Sequence, residues 1–164
     1  MSAKLIIYIL VSFLHDFFTA IWMGGMMVTL LAYMPAIKES LGPGPQTKKV
    51  MAAFQKKQSA WVYTSITGLI ITGLLMNKRS PHFQHLFAVG NPYSVALTIK
   101  HVTVLVMVGI SLYRVLVLGK RKGPSSPATE KLNARLLMIN VILAALILLN
   151  SAILGALARP LPFQ

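Results

Sequence analysis

The chain of 164 residues has no cysteine, and it sets only 3 acidic residues against 16 Lys and Arg. Without cysteine there are no disulfides, thiolate metal sites, iron–sulfur clusters or covalently attached c-type haem. A metal would have to be held by His, Met, Asp, Lys, Tyr or backbone groups. Charge of any sign is scarce: 12% of residues are charged, where soluble domains carry about 25%. What fills the space is apolar, at 55% of residues and a mean hydropathy of +0.68. The composition is that of a single-domain integral membrane protein. A net charge of +13 in a soluble chain would suggest nucleic acid. Here the basic residues flank apolar runs, the pattern of topology signals and anionic-lipid contacts. No nucleic-acid partner is therefore expected.

Four apolar runs stand out, at residues 5–34, 60–76, 94–118 and 132–157. Each suits a helix crossing roughly 30 Å of hydrocarbon. The expected fold is all-α: a four-transmembrane-helix bundle forming one domain over residues 1–164. The first run mimics a secretory signal, but it continues past a typical h-region and has no A-x-A-like cleavage site. It is expected to be a retained span, ending at Pro35. Gly42-Pro43-Gly44-Pro45 breaks the chain after it. Residues 47–58, TKKVMAAFQKKQ, read either as a basic amphipathic segment on the membrane surface or as the start of the second helix. Gly68 and Gly73 in the second span favour close helix contact.

Lysine and arginine set the expected orientation. The first loop has Lys38, Lys48, Lys49, Lys56 and Lys57. The third has Lys120, Arg121, Lys122 and Lys131, with Arg114 and Arg135 close by. The second has only Lys78 and Arg79. The first and third loops should be cytoplasmic. Both termini should lie outside, in the periplasm of a bacterium, with the protein multi-pass in the cell inner (plasma) membrane.

Within the first span, LHDFFTAIWMGGMM places His15 and Asp16 where hydrocarbon is expected. Ionisable groups in a bilayer are costly and usually mark a site. His15 lies ten residues past Leu5, roughly 15 Å along a helix, and His101 seven past Ser94, roughly 10 Å. Both spans start from the same side, so the two histidines share an outer-leaflet layer. The fourth helix reaches that layer near Asn150, and the second near residues 67–72. Two imidazoles on facing helices suit one haem b held non-covalently in a four-helix bundle. Gly24 and Gly25 would give backbone access, and Phe17, Phe18 and Trp22 aromatic walls. Lys100, Lys78 or Arg79 would pair with the propionates. The bland alternatives are that Trp22 packs, that Gly24-Gly25 serves helix contact, and that Lys100 snorkels. Asp16 points about 100° away from His15, so it would orient a neighbouring helix or relay protons. His82 and His85 read as solvated loop residues, with metal loading or a quinone-side site as the functional alternative.

The motif His15…Trp22-Met23-Gly24-Gly25, an H-x6-W-x-G-G pattern, resembles the CopD-like copper-resistance membrane domain. Pro35, the basic segment 47–58, Thr67–Leu74 (TGLIITGL) and the third span with Lys100 and Arg114 look similar to it as well, covering residues 10–118. The pattern is also similar to the small four-helix protoporphyrinogen oxidases of the HemJ type, which bind haem b. Those carry an early histidine in helix one, matched by His15, and a lysine in helix three, matched approximately by Lys100. The W-x-H-x-K-type context is absent here: the chain reads Thr98-Ile99-Lys100-His101-Val102, which strengthens His101 as a second axial ligand. Di-haem four-helix cytochromes need more intramembrane histidines than this chain has.

The expected function is a b-type cytochrome-like protein, a candidate membrane oxidoreductase. It would hold one haem b between helices one and three, with His15 and His101 as iron ligands. A quinone, porphyrin or redox protein would be its electron partner, and a homo-oligomer is left open. The alternative is copper transport or copper resistance through a copper ion held by His and Met. Met23, Met26 and Met27 lie at i, i+3 and i+4, and His15, Trp22 and Met26 at i, i+7 and i+11, each set on one face of a regular helix. Methionine also fills irregular cores, which is its bland reading. A third reading is an assembly subunit without chemistry of its own.

Overall fold

The computed structural model describes residues 2–76, 85, 87–119 and 126–158. Four helices account for nearly all of them: α1 (Ala3–Leu41), α2 (Pro45–Met76), α3 (Pro92–Leu118) and α4 (Pro127–Leu157). Each is long and apolar enough to cross a bilayer, and no strand occurs among the described residues. The chain is thus an all-α, multi-pass type of membrane protein. Large apolar side chains such as Leu5, Ile7, Leu10, Phe13 and Phe17 of α1 are exposed on the outside of the bundle. In water such a surface would be a liability; in lipid it is the solvated face.

Local sequence sets the helix ends. Ser2 caps α1, Asn91 caps α3 by accepting from the Ser94 amide at 2.7 Å, and Ser126 caps α4 by accepting from the Thr129 amide at 3.2 Å. Proline follows the cap in α3 and α4, where its missing N–H costs nothing. Gly42, at φ 65°, ends α1 in a conformation that other residues adopt only with strain.

All four helices start or end beyond the expected spans, α3 by only two residues. α1 does not stop at Pro35 but continues to Leu41. Its chain widens into a π-turn at Thr29–Tyr33, directly before the segment that carries Pro35. A wide turn re-registers the ladder that the proline ring would otherwise clash with. α2 starts at Pro45, so the basic stretch 47–58 is the first part of the second helix. α4 starts at Pro127, so it includes Lys131 and Glu130.

Adjacent helices run antiparallel. From one end to the other, α1 meets α2 through His15–Thr72, Phe18–Gly68, Thr29–Gln58 and Tyr33–Phe54. α3 meets α4 through Leu97–Leu154, Met107–Asn140 and Arg114–Asn133. The two hairpins join along the middle and toward the short connections at 42–44 and 119–126, where α1 reaches α4 through Gly25–Val28 and Thr29–Tyr33. The central core draws on all four helices: Trp22, Met23 and Met26, Ile66, Met107, and Leu137, Ala144 and Ile147. Toward the end that carries both termini, here the terminal end, the pattern changes. Ala3–Thr19 of α1 has no buried residue, and the apolar cluster there, Ala96, Leu97 and Leu154, comes from α3 and α4 alone. Among the described residues, the hairpins are close-packed at one end and share no buried apolar cluster at the other.

Candidate functional site

The terminal-end layer holds His15, Asp16, Lys100 and His101. His15 Nδ1 lies 2.8 Å from Thr72 Oγ1 on α2. The Thr72 hydroxyl donates its one hydrogen to the Gly68 carbonyl at 2.7 Å, as hydroxyls in apolar helices commonly do. Toward His15 the oxygen can then only accept, so Nδ1 carries the proton and Nε2 keeps a free lone pair. His101 repeats the arrangement by another route. Its Nδ1 lies 2.8 Å from the Leu97 carbonyl, an obligate acceptor, so Nδ1 is the donor and Nε2 is the nitrogen outside that bond. Metal-ligating histidines typically donate their second ring N–H to a carbonyl, carboxylate or water, which fixes the tautomer and the ring. Both histidines carry such a support.

Close packing of α1 on α2 makes the His15 contact. The Phe18 ring occupies the space where a Cβ at Gly68 would stand, and His15 Cε1 is 3.6 Å from the corresponding position at Gly73. The two glycines thus act as helix-contact residues, as their spacing suggested. Thr19 Oγ1 donates to the His15 carbonyl at 2.8 Å, adding a second local tie.

Lys100 of α3 lies within electrostatic range of both His15 and Asp16, which links the two hairpins at this level. His101, one residue on, places its ring edge-on to Phe87 at a centroid distance of 6.3 Å. The α3 charge that acts on His15 is therefore that of Lys100, while His101 occupies the neighbouring sector of the helix. Asn150, one turn before Leu154, has a buried Oδ1 with no hydrogen-bond partner, and so does Ser12 Oγ on α1. Two imidazoles with one ring nitrogen outside these bonds, a lysine and two unpartnered polar atoms thus share this layer. The donor set suits a haem with nitrogen ligands.

The other residues singled out from sequence lie deeper or elsewhere. Trp22 is 2% exposed and sits in the central core, its Nε1–H without a partner. A π-turn at Ala20–Gly24 interrupts the regular period on which the shared face of His15, Trp22 and Met26 rests. A Cβ at Gly25 would stand 3.6 Å from Gln58 Nε2, and one at Gly24 would meet nothing. Gly25 therefore faces α2 at Gln58, Gly24 faces open space, and neither lies at the His15 level. Met23 and Met26 are packed in the core with Trp22 and Met107, the space-filling use of methionine. No group of three or more His, Cys, Asp or Glu gathers in metal-binding proximity among the described residues. His85 is exposed, whereas His82, Lys78 and Arg79 lie outside the described residues.

Comparison of the chain with family models, curated proteins and solved structures finds no match. Sequence reasoning placed a polar group of α2 at the His15 level but could not select Thr72. Phe18–Gly68 was equally invisible, because an aromatic in an apolar run carries no mark of the helix it faces. A second polar cluster, around Arg114 and Gln58 near the short connections, also went unassigned; its signal was an arginine inside an apolar run.

Proposed function

We propose that the chain is a multi-pass membrane protein that binds one haem b at the terminal end, between α1 and α3, for electron transfer. The observation that carries this reading is the matched state of two imidazoles, His15 and His101, each with its Nδ1–H engaged and its Nε2 free. His15 would hold the iron from the α1 side, with Thr72 keeping its ring oriented. His101 would hold it from the α3 side, its ring fixed by Leu97. Lys100, beside His101 and in reach of Asp16, offers a cation for a propionate carboxylate. A bound haem would supply reversible one-electron chemistry, and two nitrogen ligands favour electron transfer over oxygen binding. The electron partner would be a quinone, a porphyrin or a redox protein. The resemblance of the first span to CopD-like and HemJ-type proteins supports an intramembrane histidine site of this kind. The excess of lysine and arginine near the short connections supports placing these in the cytoplasm of a cell with this protein in its plasma membrane.

The test is an absorption spectrum of the purified protein, oxidised and dithionite-reduced, with metal analysis beside it. A Soret band with sharp α and β bands is expected, lost or shifted in His15→Ala and in His101→Ala. Lys100→Met should retain the band positions if lysine is a propionate partner, and shift them if the amine is a ligand. A colourless protein that retains copper sinks the haem reading in favour of copper handling.

A further inference from the structure

At the end opposite the histidines, all four helices surround a second polar site. Arg114 begins a π-turn at the end of α3 and is half-buried. Its Nε donates to Asn133 Oδ1 of α4 at 2.9 Å, which pins the guanidinium by one edge. The chain has no carboxylate to give it. Of the three acids, Asp16 lies at the far end of α1, Glu39 is exposed at the end of the same helix, and Glu130 pairs with Lys48 at 2.8 Å. Arg114 lines a cavity of about 40 Å³ and an adjoining one of about 20 Å³, both of which also reach Gln55 and Gln58. Water needs about 10–15 Å³ each on this measure, so the larger cavity holds roughly three waters or one compact oxyanion.

The unspent donors on the wall belong to Arg114 and Asn133, whereas Gln58 and Thr29 have spent theirs and can only accept. The Gln58 amide spends Nε2 on the Gly25 carbonyl at 3.0 Å and on Thr29 Oγ1 at 2.7 Å, and Thr29 spends its hydroxyl hydrogen on Gly25 at 2.6 Å. Asn133 accepts from Arg114, which leaves its amide N–H groups for other partners. The Tyr33 ring stacks on Phe54 at 3.9 Å and closes the α1–α2 side. Two π-turns, Thr29–Tyr33 and Arg114–Leu118, border the same space, and π-turns recur at functional sites.

We infer that this cavity binds a phosphate oxyanion, with Arg114 as its forked anchor and Asn133 as the residue that positions the fork. The group is either the phosphodiester of an anionic phospholipid or free inorganic phosphate. This inference does not depend on haem binding at the opposite end.

The test uses the full-length protein, delipidated in neutral detergent, read by thermal shift and native mass spectrometry. It is titrated with phosphatidylglycerol, phosphatidylcholine and inorganic phosphate. Stabilisation by phosphatidylglycerol alone identifies the lipid source; stabilisation by inorganic phosphate as well identifies the free ion. Arg114→Gln is expected to weaken binding roughly tenfold or more, the size of a lost charge-assisted contact. Arg114→Lys should recover only part, because an ammonium lacks the fork. Lys49→Ala with Lys57→Ala should leave affinity unchanged. Equal affinity in Arg114→Gln, loss of binding in the double lysine variant, or an equal response to phosphatidylcholine overturns the site. If Arg114→Gln does not fold, Asn133→Leu carries the same comparison: weakened binding supports the site and unchanged binding overturns it.

Discussion

His15 Nδ1 and Thr72 Oγ1 lie 2.8 Å apart across the α1–α2 interface, although 57 residues separate them in the chain. Because Thr72 already donates to Gly68, this contact sets the tautomer of the histidine as well as its position. It also predicts how a bound metal would respond to a change on a different helix.

Thr72→Val removes the acceptor while keeping the shape. The expectation is that haem retention by the purified protein weakens about 10–100-fold, the usual cost of losing an outer-shell partner. Thr72→Ser keeps the oxygen and should behave like the parent. The check is haem loss to an acceptor protein followed at the Soret band; equal rates in the Val and Ser variants would remove Thr72 from the site.

Gly68 is a steric requirement. A side chain there meets the Phe18 ring, so Gly68→Val should lower stability by about 1–3 kcal/mol, as overpacking does. At Gly109 a Cβ meets nothing within 4 Å, so Gly109→Ala should be neutral or slightly stabilising. Thermal unfolding in detergent compares the two.

Asn140 of α4 is fully buried and donates to Ser111 Oγ of α3 at 2.8 Å. Interhelical hydrogen bonds in membrane proteins average about 0.6 kcal/mol and reach about 1.7. A double-mutant cycle of Asn140→Ala and Ser111→Ala should therefore give a coupling in that range. A coupling near zero would show that the helix pairing rests on packing of Met107, Leu137 and Ala144 alone.

Lys48 and Glu130 pair at 2.8 Å across the first and third connections, but the side chains are 51% and 42% exposed. Glu130→Gln should change stability by less than about 1 kcal/mol. Whatever effect it has should fade in high salt, because exposed pairs are screened.

The absence of cysteine makes orientation directly measurable. In intact cells, a membrane-impermeant maleimide should label Ser2→Cys and spare Ser126→Cys until the membrane is opened. The reverse pattern would contradict the orientation read from lysine and arginine.

Composition and hydropathy determined the class, the number of spans and the presence of polar groups at unusual depth. A bilayer of fixed thickness that denies water to the backbone imposes those features on each segment separately, so they can be read one segment at a time. The histidine pair, Lys100 and Asp16 were visible for the same reason. The helix ends were less so: Pro35 reads as a stop until the π-turn at Thr29–Tyr33 absorbs it. Only the tertiary structure decided which helices meet, that Thr72 orients His15, that Lys100 is the α3 charge acting on it, and that Arg114 borders a cavity without an acid. In spans that are apolar all round, periodicity barely marks the buried face. Lipid and protein interior are equally apolar, so contacts follow from shape, from small residues such as Gly68, and from the few polar groups that must find one another.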